Sequence, residues 1–295
     1  MDLDFAEMTT RWYEHHARDL PWRRPDATPW AVLVSEFMLQ QTPVSRVLPV
    51  WQEWLDRWPT PGALAAEPAA EAIRAWGRLG YPRRALRLHG CATAIVDRYH
   101  GEVPSSVDEL LGLPGVGSYT ARAVAAFAFG QRVPVVDTNV RRVLARALDG
   151  RGDAGPATTV RDLAAVEALL PAVPAQAARA SVAFMELGAL VCTARQPRCA
   201  QCPLATGCAW RLAGQPAEAG PSRRRQRYAG TDRQVRGLLL AVLRETSGPV
   251  PAAQLDSVWH LAEQRDRALA SLLADGLVHE VEAGWYALAG QHGPG

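Results

Sequence analysis

The stretch that decides the fold spans residues 109–146 and reads ELLGLPGVGSYTARAVAAFAFGQRVPVVDTNVRRVLAR. Its pattern predicts a short helix, a glycine-rich turn, a buried helix, an extended link and a third helix. In the turn, Pro114 fixes one φ angle, whereas Gly115 and Gly117 permit positive φ angles. The sequence therefore predicts a hairpin of two helices that leads into a third helix.

The link into the third helix carries a capping signal, because either Asp137 or Thr138 can cap the helix that follows. A glycine turn that opens a helix also points backbone N–H groups outward, and this arrangement suits a phosphate group. An ordinary connection between two helices fits the turn as well. The turn alone therefore leaves both interpretations open.

The continuation of the stretch resembles a known family. A Gly-Val-Gly turn, a buried helix and VVDTNVRRVLAR at residues 135–146 closely resemble the adenine DNA glycosylases of the endonuclease III-like helix-hairpin-helix superfamily. The resemblance implies a hairpin that grips DNA phosphate, followed by a catalytic aspartate, here Asp137. The hairpin residues that would contact DNA are Leu113, Gly115, Val116 and Gly117.

A second informative stretch, WAVLVSEFMLQQTPVSR, spans residues 30–46 and begins with a largely apolar helix. Because an unpaired buried charge is costly, its single carboxylate, Glu36, should be protonated, paired with an arginine or placed at a cavity. The segment SEFMLQQT matches the motif of the adenine glycosylases, and the resemblance implies that Glu36 is the catalytic acid. It also implies that a DNA-insertion loop is lined by Gln40, Gln41 and Thr42.

The segment RLGYPRRALRLH at residues 78–89 resembles the family's GLGYY-x-R segment, which precedes a long helix. Where the family has an aromatic residue that wedges into the duplex, this protein has Pro82. Proline can also wedge a base step, although it offers less stacking surface. Tyr81 is expected either to share this role or to pack at the helix start. Candidate phosphate contacts, which fit a solvated helix face equally well, are Arg83, Arg84 and Arg87.

Lysine is absent from the sequence, so all 32 basic residues are arginines. Some relatives in the superfamily cleave the DNA strand through a lysine Schiff base, which requires an amine nucleophile. Tyr119 stands where those relatives carry lysine, and the resemblance implies an enzyme that removes bases without cutting the strand. It also places Tyr119 beside the sugar and makes Asn139 an amide partner for the active site. Alternatively, Tyr119 is a buried core residue and Asn139 an ordinary first-turn residue.

Four of the five cysteines fall within a short segment, as Cys192, Cys199, Cys202 and Cys208. A cluster of this density in an intracellular protein usually binds metal rather than forming disulfides. Zinc would accept four thiolates, but the spacing differs from the usual zinc pattern of two CxxC pairs. The spacing matches the loop of this superfamily that holds a [4Fe–4S] cluster, which needs four thiolate ligands. We therefore expect a [4Fe–4S] cluster, with zinc and disulfides as the alternatives.

Composition sets broad limits on fold and location. The length of 295 residues predicts one large or two modest domains. The hydrophobic content of 48% is enough for a sizeable core. The net charge of +2 is weak support for a nucleic-acid partner, and the arginine bias also fits a GC-rich genome. There is no apolar run long enough to span a membrane, and the N-terminus lacks a signal-peptide pattern. We therefore expect a cytoplasmic, nucleoid-associated protein.

The C-terminal part departs from the family pattern. Residues 213–230 predict a polar linker whose arginine run either docks on DNA or is solvated. Residues 231–290 predict three helices and a two-stranded wing, which together resemble a small winged-helix domain. The adenine glycosylases usually carry a larger C-terminal domain that resembles the Nudix hydrolases and senses 8-oxoguanine. This departure puts the recognition of 8-oxoguanine in doubt.

The resemblance implies an all-α, two-lobed helix-hairpin-helix body with an iron–sulfur loop. One lobe, a six-helix domain with the hairpin, would span residues 22–130. The other would join residues 1–21 to residues 131–212 and hold the cluster. A flipped adenine is expected to enter between Glu36 and Asp137, which come from different lobes.

The resemblance, which covers about residues 5–212, implies hydrolysis of the bond between adenine and its sugar opposite 8-oxoguanine or guanine. Glu36 would protonate N7 of adenine, and Asp137 would stabilise the oxocarbenium-like sugar. The partner would be double-stranded DNA that contains a mispaired or damaged base. Two alternatives stay open, a thymine glycosylase acting on G·T mismatches and a non-catalytic iron–sulfur DNA-binding regulator.

Overall fold

The computed structural model describes residues 5–155, 157–216 and 228–291. Most of these residues are helical, which confirms the all-α prediction for the body of the protein. The arginine run of the predicted linker lies outside the described residues. Within the three described ranges, no helix combines the length and the apolar character needed to cross a membrane.

The secondary-structure elements succeed one another with short connections. In sequence order the described elements are α1 (Phe5–His16), α2 (Pro29–Leu39), α3 (Val44–Arg57), α4 (Pro61–Ala65), α5 (Ala69–Trp76), α6 (Arg83–Tyr99), α7 (Val107–Leu111), α8 (Ser118–Phe127), α9 (Thr138–Ala147), α10 (Val160–Leu169), α11 (Pro174–Leu190), α12 (Ala209–Leu212), α13 (Asp232–Glu245), β1 (Val250–Pro251), α14 (Ala252–Asp256), α15 (Ala262–Ala274), β2 (Val278–Glu282) and β3 (Trp285–Leu288). Short 3₁₀ turns lie at Pro21–Arg23 and Cys199–Gln201.

The protein divides into two compact units. The first is drawn from Met1–Leu33, Ser105–Gly112 and Val116–Ser222, and the second from Val34–Pro104, Leu113–Gly115 and Arg223–Gly295. The boundaries that the sequence suggests, at residues 22, 130 and 212, stay a prediction.

In the first unit, α1, α9 and α11 pack around one apolar core. Phe5 of α1 meets Phe184 of α11 edge to face, with ring centroids 5.1 Å apart. Next to this core, the carboxylate of Glu186 is fully buried. Arg18 donates to both of its oxygens at 2.7 Å, and Arg23 donates to Oε2 at 2.9 Å. These ion pairs compensate the buried charge and fix the end of α1 on α11.

The core of the second unit is built on tryptophans. Trp54 lies edge to face with both Trp58 and Trp76, at centroid distances of 4.8 and 5.6 Å. All three side chains are almost fully buried. Cys91 of α6 is also buried, and burial raises the pKa of its thiol to about 12. It therefore behaves as a small apolar core residue.

Residues 228–291, called here the C-terminal module, belong to the second unit. Helices α13, α14 and α15 were expected from the sequence, and so were strands β2 and β3. β1 was not, because two residues are too few to show an alternating pattern. The sheet is antiparallel with β3 in the centre, where Val250 lies opposite Tyr286 and Val278 lies opposite Leu288.

Candidate functional site

Asp137 stands at the N-terminus of α9 and caps it. Its Oδ1 accepts a hydrogen bond from the backbone N–H of Val140 at 2.7 Å. The sequence allowed either Asp137 or Thr138 in this position, and the structure selects Asp137. The preceding residues, Val135 and Val136, are buried and bring the extended link into the core of the unit. The carboxylate is therefore held on both sides by backbone that cannot easily move.

Two opposing influences act on the Asp137 carboxylate. Burial raises its pKa, because the charged form loses solvation, while hydrogen bonds from Val140 and Asn139 and the nearby Arg142 charge oppose the rise. Burial prevails, so the pKa lies above the ordinary value of 3.8. When it is ionised, this carboxylate has lost much of its solvation, and the hydrogen bonds and charge around it compensate that loss only in part.

A series of hydrogen bonds leads from Asp137 to the first cysteine of the cluster. Asn139 donates from Nδ2 to Oδ2 of Asp137 at 2.7 Å and accepts at Oδ1 from Arg142 at 2.8 Å. Arg142 also donates to the backbone carbonyls of Gly188 and Cys192, both at 2.7 Å. Asn139 thus orients the aspartate, while Arg142 orients Asn139 and fixes the backbone beside the cysteine.

Gly188 lets α11 approach this hydrogen-bonded series closely. A Cβ atom at residue 188 would lie 2.7 Å from Cβ of Asn139 and 2.8 Å from its backbone oxygen. Such distances are shorter than van der Waals contact, and backbone cannot give way as a flexible side chain can. A glycine is therefore required at this position inside α11.

We expect Gly188→Ala to lower the free energy of unfolding by about 2 kcal/mol, because the added methyl group overpacks a rigid contact. Thermal or urea unfolding of the full-length protein measures this loss. Gly62→Ala in α4 is the matched control, since its new Cβ would have one neighbour, at 3.9 Å. Equal stability of the two variants would contradict the close approach of α11 to Asn139.

Tyr119 lies in the first turn of α8, in the same unit as Asp137. Its ring packs against a small core that contains Ala123, Ala126 and Met185. Its hydroxyl lies 4.0 Å from the sulfur of Met185, a contact that is weak as a hydrogen bond. The ring is thus fixed by packing, and the role of the hydroxyl stays a prediction.

Glu36 lies in the last turns of α2 and belongs to the second unit. Its residue surface is only 6% exposed, and the helix around it is apolar, with Leu33, Phe37 and Met38 almost fully buried. The sequence expectation of a buried carboxylate on an apolar helix is therefore met. Its role as catalytic acid stays a prediction.

Arg84 holds the end of this helix. One terminal nitrogen of its guanidinium donates to the backbone carbonyls of Phe37, Met38 and Gln40 at 2.7–2.9 Å. The other donates to the Thr42 hydroxyl at 2.8 Å. These are carbonyls that a helix leaves without internal partners, so the Arg84 guanidinium caps the C-terminal end of α2. Its bonds also fix the start of the loop that follows Glu36.

The sequence suggested Arg84 as a phosphate contact, and the structure shows that this was wrong. The residue is only 5% exposed, and burial lowers the pKa of its guanidinium to about 10. Lone arginines on a helix look alike in sequence. Only the fold reveals that this one faces inward and binds backbone carbonyls.

We expect Arg84→Ala to lower the free energy of unfolding by about 3 kcal/mol, since several buried carbonyl groups would lose their donor. Arg83→Ala is the matched control, because Arg83 is about half exposed and its ion pair with Asp275 has a distance of 3.2 Å. Such an exposed pair contributes ~0–1 kcal/mol. Urea unfolding compares the two variants, and a smaller loss for Arg84→Ala than for Arg83→Ala would refute the capping role.

The loop after α2 exposes its three residues to solvent to different extents. Gln41 is exposed and adopts a left-handed backbone, with φ at 56°. Thr42 is buried, and its hydroxyl accepts from Arg84 as described. Gln40 is half-buried and gives its carbonyl to the same arginine. Gln41 is thus the loop residue presented to solvent.

The two glycines of the turn before α8, Gly115 and Gly117, have different structural roles. Gly115 has a φ of 78°, and a Cβ there would lie 2.7 Å from Cβ of Arg87, so this position demands glycine. Gly117 caps α8 with a φ of −98°, so the positive φ that the sequence permits is not used. Leu113 and Val116 are buried and anchor the turn.

The turn before α6 presents a strained aromatic residue. Tyr81 has a φ of 48° and is 47% exposed. The guanidinium carbons of Arg84 and Arg233 lie over its ring, 5.4 and 5.2 Å from the centroid. Pro82, the next residue, is half-buried, while Arg83 is exposed. A left-handed tyrosine costs backbone energy, and such strain clusters at functional sites.

The four cysteines line one cavity of the first unit, together with Arg146, Pro197 and Trp210. None of the four forms a disulfide. Arg146 donates to the sulfur of Cys192 at 3.5 Å and stacks on Trp210 at 4.6 Å. Gln215 donates to the sulfur of Cys199 at 3.3 Å. These donors suit sulfur ligands that carry negative charge.

The four thiols of the cavity suit a cluster better than a single ion. Among the described residues, no three acidic, histidine or cysteine side chains are close enough to hold one metal ion. Tetrahedral zinc with Zn–S bonds of ~2.3 Å would require sulfur atoms about 3.8 Å apart. A cavity lined by four thiols fits a group with four attachment points. The donor set and cavity therefore fit a [4Fe–4S] cluster.

Comparisons with known proteins agree with this geometry. Residues 34–166 match the model of the HhH-GPD superfamily base excision DNA repair proteins. Residues 192–208 match the iron–sulfur binding domain of endonuclease III. The adenine DNA glycosylase of Mycobacterium tuberculosis is 60% identical over 281 residues, which cover 95% of this chain and 92% of that protein.

The chain belongs to the adenine DNA glycosylase family. As a member, this glycosylase is a base excision DNA repair protein with a [4Fe–4S] cluster. The matched iron–sulfur segment, residues 192–208, contains Cys192, Cys199, Cys202 and Cys208, and their role as the cluster ligands stays a prediction. Held by these four thiols, the cluster would cross-link the loop between α11 and α12.

Two solved structures resemble the glycosylase fold. A thermostable thymine-DNA glycosylase covers 71% of this chain and 95% of its own, with a TM-score of 0.64 and 25% identity. A non-covalent complex of endonuclease III with DNA covers 72% of this chain and 95% of its own, with a TM-score of 0.60 and 25% identity. Both confirm the helix-hairpin-helix fold that the sequence predicts.

Sequence reasoning missed three residues of the glycosylase site. Arg142 lies one turn after Asn139 on α9, so the spacing of three residues could have suggested their contact. Gly188 is a glycine inside a helical pattern, which is a recognised sign of close packing. Arg146 lies one further turn along α9 and carried no such signal, because Cys192 and Thr193, to which it donates beside the cluster cavity, lie 46 and 47 residues away in the sequence.

Proposed function

We propose that this protein is a monofunctional DNA glycosylase that hydrolyses the N-glycosidic bond of adenine mispaired with 8-oxoguanine or guanine. The observation that carries the proposal is the similarity to a mycobacterial adenine DNA glycosylase along nearly the whole of both chains. That similarity includes the C-terminal part of the chain. The substrate is double-stranded DNA, which places the enzyme on the nucleoid in the cytoplasm.

In the proposed mechanism, the target adenine is flipped out of the duplex and Glu36 donates a proton to its N7. Protonation turns the base into a better leaving group, and positive charge develops on the sugar as the bond breaks. Asp137 stabilises that charge, because its carboxylate is partly desolvated and only partly satisfied. A water molecule then attacks the sugar, guided by Glu36 or by the hydroxyl of Tyr119.

Asn139 acts as a positioning residue in this mechanism. Its side-chain amide donates to Oδ2 of Asp137 and is itself held by Arg142. The arrangement leaves the aspartate with one orientation at the start of α9. Preorganisation of this kind lets a carboxylate stabilise developing charge without rearranging first.

The glycine turn would grip the DNA backbone. Within the described residues, no atom lies within 4 Å of a Cβ built on Gly117, so the fold itself does not require glycine there. A phosphate approaching the start of α8 does require it. Gly115 shapes the turn, and the buried Leu113 and Val116 anchor it.

Further contacts with the duplex come from two loops. We assign Gln40 and Gln41 to the gap left by the flipped base, where side-chain amides can bind base edges. Thr42 keeps the shape of that loop through Arg84. Tyr81 and Pro82 would support the base step next to the lesion, and Arg83 would bind a phosphate.

The enzyme would release the base and leave an abasic site in an intact strand. The sequence has no lysine, so no side-chain amine is available to form a Schiff base with the sugar. Hydrolysis by water is the remaining route. After incubation with the enzyme, the DNA strand that contains the abasic site should therefore break only when it is treated with alkali.

One assay tests the proposal against its alternatives. The full-length protein is incubated with duplexes that contain 8-oxoG·A, G·A or G·T pairs, and abasic sites are then cleaved with alkali. Breaks in the A strand support the proposal, and a control without alkali tests for strand cleavage. Breaks in the T strand would support a thymine glycosylase, an activity favoured by the similarity in fold to one. No breaks in any duplex would leave a non-catalytic DNA-binding regulator.

A further inference from the structure

We propose that the C-terminal module supplies Arg233 as a phosphate contact beside Tyr81. The module would thereby complete the DNA-binding surface at the turn before α6. This inference rests on the proposed function, because it takes that turn to face the duplex. It adds a residue and a role for the module that the similarity to the family does not assign.

The module is fixed firmly on the helices that flank the turn. Arg74 of α5 donates to the backbone carbonyls of Arg244 and Thr246 at 3.2 and 2.6 Å. Arg244 donates in return to the carbonyl of Ile73 at 3.0 Å. At the start of α6, Arg83 pairs with Asp275 at 3.2 Å. These contacts hold α13 in one position relative to Tyr81.

Arg233, in the first turn of α13, is placed directly over the turn. Its guanidinium carbon lies 5.2 Å from the centroid of the Tyr81 ring. One of its terminal nitrogens would be 3.9 Å from a Cβ built on Gly80. A guanidinium over an aromatic face is attracted by the ring itself and does not need its N–H groups for that contact. Those N–H groups form the planar fork that matches a phosphate.

The charges of the module single out Arg233. Residues 228–291 contain five arginines and eight carboxylates, so the module as a whole is acidic and does not attract DNA. The other four arginines are engaged: Arg236 with Asp275, Arg244 with the Ile73 carbonyl, Arg265 with Asp256 and Arg267 with Asp232. Across the described ranges, no carboxylate lies within ion-pair distance of Arg233, and the residue is exposed.

The position of Arg233 also compensates for the replacement of the family's aromatic wedge by Pro82. The family's aromatic wedge is missing here, which leaves Tyr81 as the exposed ring of the turn. Arg84 and Arg233 lie against this ring and restrict its motion. A restrained tyrosine and an adjoining guanidinium together offer a stacking surface and a phosphate clamp. The module therefore strengthens a turn that has lost aromatic surface.

Binding of the full-length protein to a duplex tests the inference. The duplex carries 8-oxoguanine opposite 2′-fluoro-2′-deoxyadenosine, whose fluorine disfavours positive charge on the sugar and so blocks turnover. Kd is measured over a series of salt concentrations. We expect Arg233→Ala to weaken binding about tenfold and to reduce the slope of log K against log salt by ~0.9, the value for one phosphate contact. Arg233→Lys should retain the slope, because it retains the charge.

Arg98→Ala is the matched control, because it removes the same charge from the exposed, far end of α6, about 22 Å from Arg83 at a rise of ~1.5 Å per residue. Thermal unfolding and the visible absorbance of the cluster check that each variant is folded. An unchanged slope for Arg233→Ala, or an equal change for Arg98→Ala, would overturn the inference.

The result is separable from the proposed function. If the wild-type protein releases adenine but Arg233→Ala binds normally, the inference fails and the function stands. If the protein binds the duplex through Arg233 but releases no adenine, the function fails and the inference stands.

Discussion

Glu36→Gln is expected to reduce the single-turnover rate of adenine release about a thousandfold while leaving DNA binding nearly unchanged. Glutamine has the size of glutamate and keeps an acceptor oxygen, but it cannot donate a proton from a carboxyl group. General acid catalysis contributes ~10²–10⁴ to a rate, and adenine is a poor leaving group unless it is protonated. Since Glu36 is buried on an apolar helix, no bulk acid can easily take its place.

The measurement uses a duplex with adenine opposite 8-oxoguanine and an excess of enzyme, so that product release does not limit the rate. Binding is measured in parallel with the 2′-fluoro duplex. Glu102→Gln is the control, because Glu102 is exposed and its replacement removes the same charge. Near-normal base release by Glu36→Gln would remove Glu36 from the mechanism. A large loss of binding would instead indicate that Glu36 contacts DNA in the ground state.

Local sequence signals gave most of the helices correctly. Trp51, Trp54 and Trp58 follow a spacing of three and four residues, which is typical of one helix face, and all three side chains are buried. Asp137 caps α9, which is one of the two options that the sequence allowed. The four cysteines line one cavity, as their density suggested. In each case the information lies within a few residues of sequence.

Contacts between distant segments were harder to foresee. Arg84 is 44 residues away from Gln40, whose carbonyl it binds, and nothing near Arg84 in the sequence indicates that it faces inward. Gly188 is required because the backbone of Asn139 lies against it. Arg233 meets Tyr81 only because the C-terminal module is fixed on α5. Such contacts depend on tertiary packing, which periodicity and capping signals do not encode.

Asp137→Asn is expected to reduce adenine release by about a thousandfold, because the variant loses the negative charge that stabilises the cationic sugar. Asparagine caps a helix about as well as aspartate, so α9 should remain intact. Asp137→Ala should lose a comparable amount of activity but also ~1 kcal/mol of stability, since it removes the cap that accepts from Val140. Comparing the two variants separates the chemical role of the carboxylate from its structural role.

The pH dependence of stability provides an independent measurement on the same carboxylate. Burial raises the pKa of Asp137 in the folded state above its ordinary value of 3.8, so its charged form costs stability at neutral pH. As the pH falls through that raised pKa, the folded state takes up a proton before the unfolded state does. The wild type should therefore gain melting temperature relative to Asp137→Asn as the pH falls towards 3.8, the ordinary pKa of an aspartate.

The two measurements together decide the role of Asp137. Suppose that Asp137→Asn releases adenine a thousandfold more slowly and also loses stability relative to the wild type as the pH falls. The Asp137 carboxylate would then be a group whose charge the fold leaves partly uncompensated and uses in catalysis. If Asp137→Asn instead released adenine at a near-normal rate, the carboxylate would be a helix cap alone. The positive charge that develops on the sugar would then need a different anion to stabilise it. Among the described residues, Asp137 is the carboxylate that Asn139 orients by a hydrogen bond, so that anion would have to come from elsewhere.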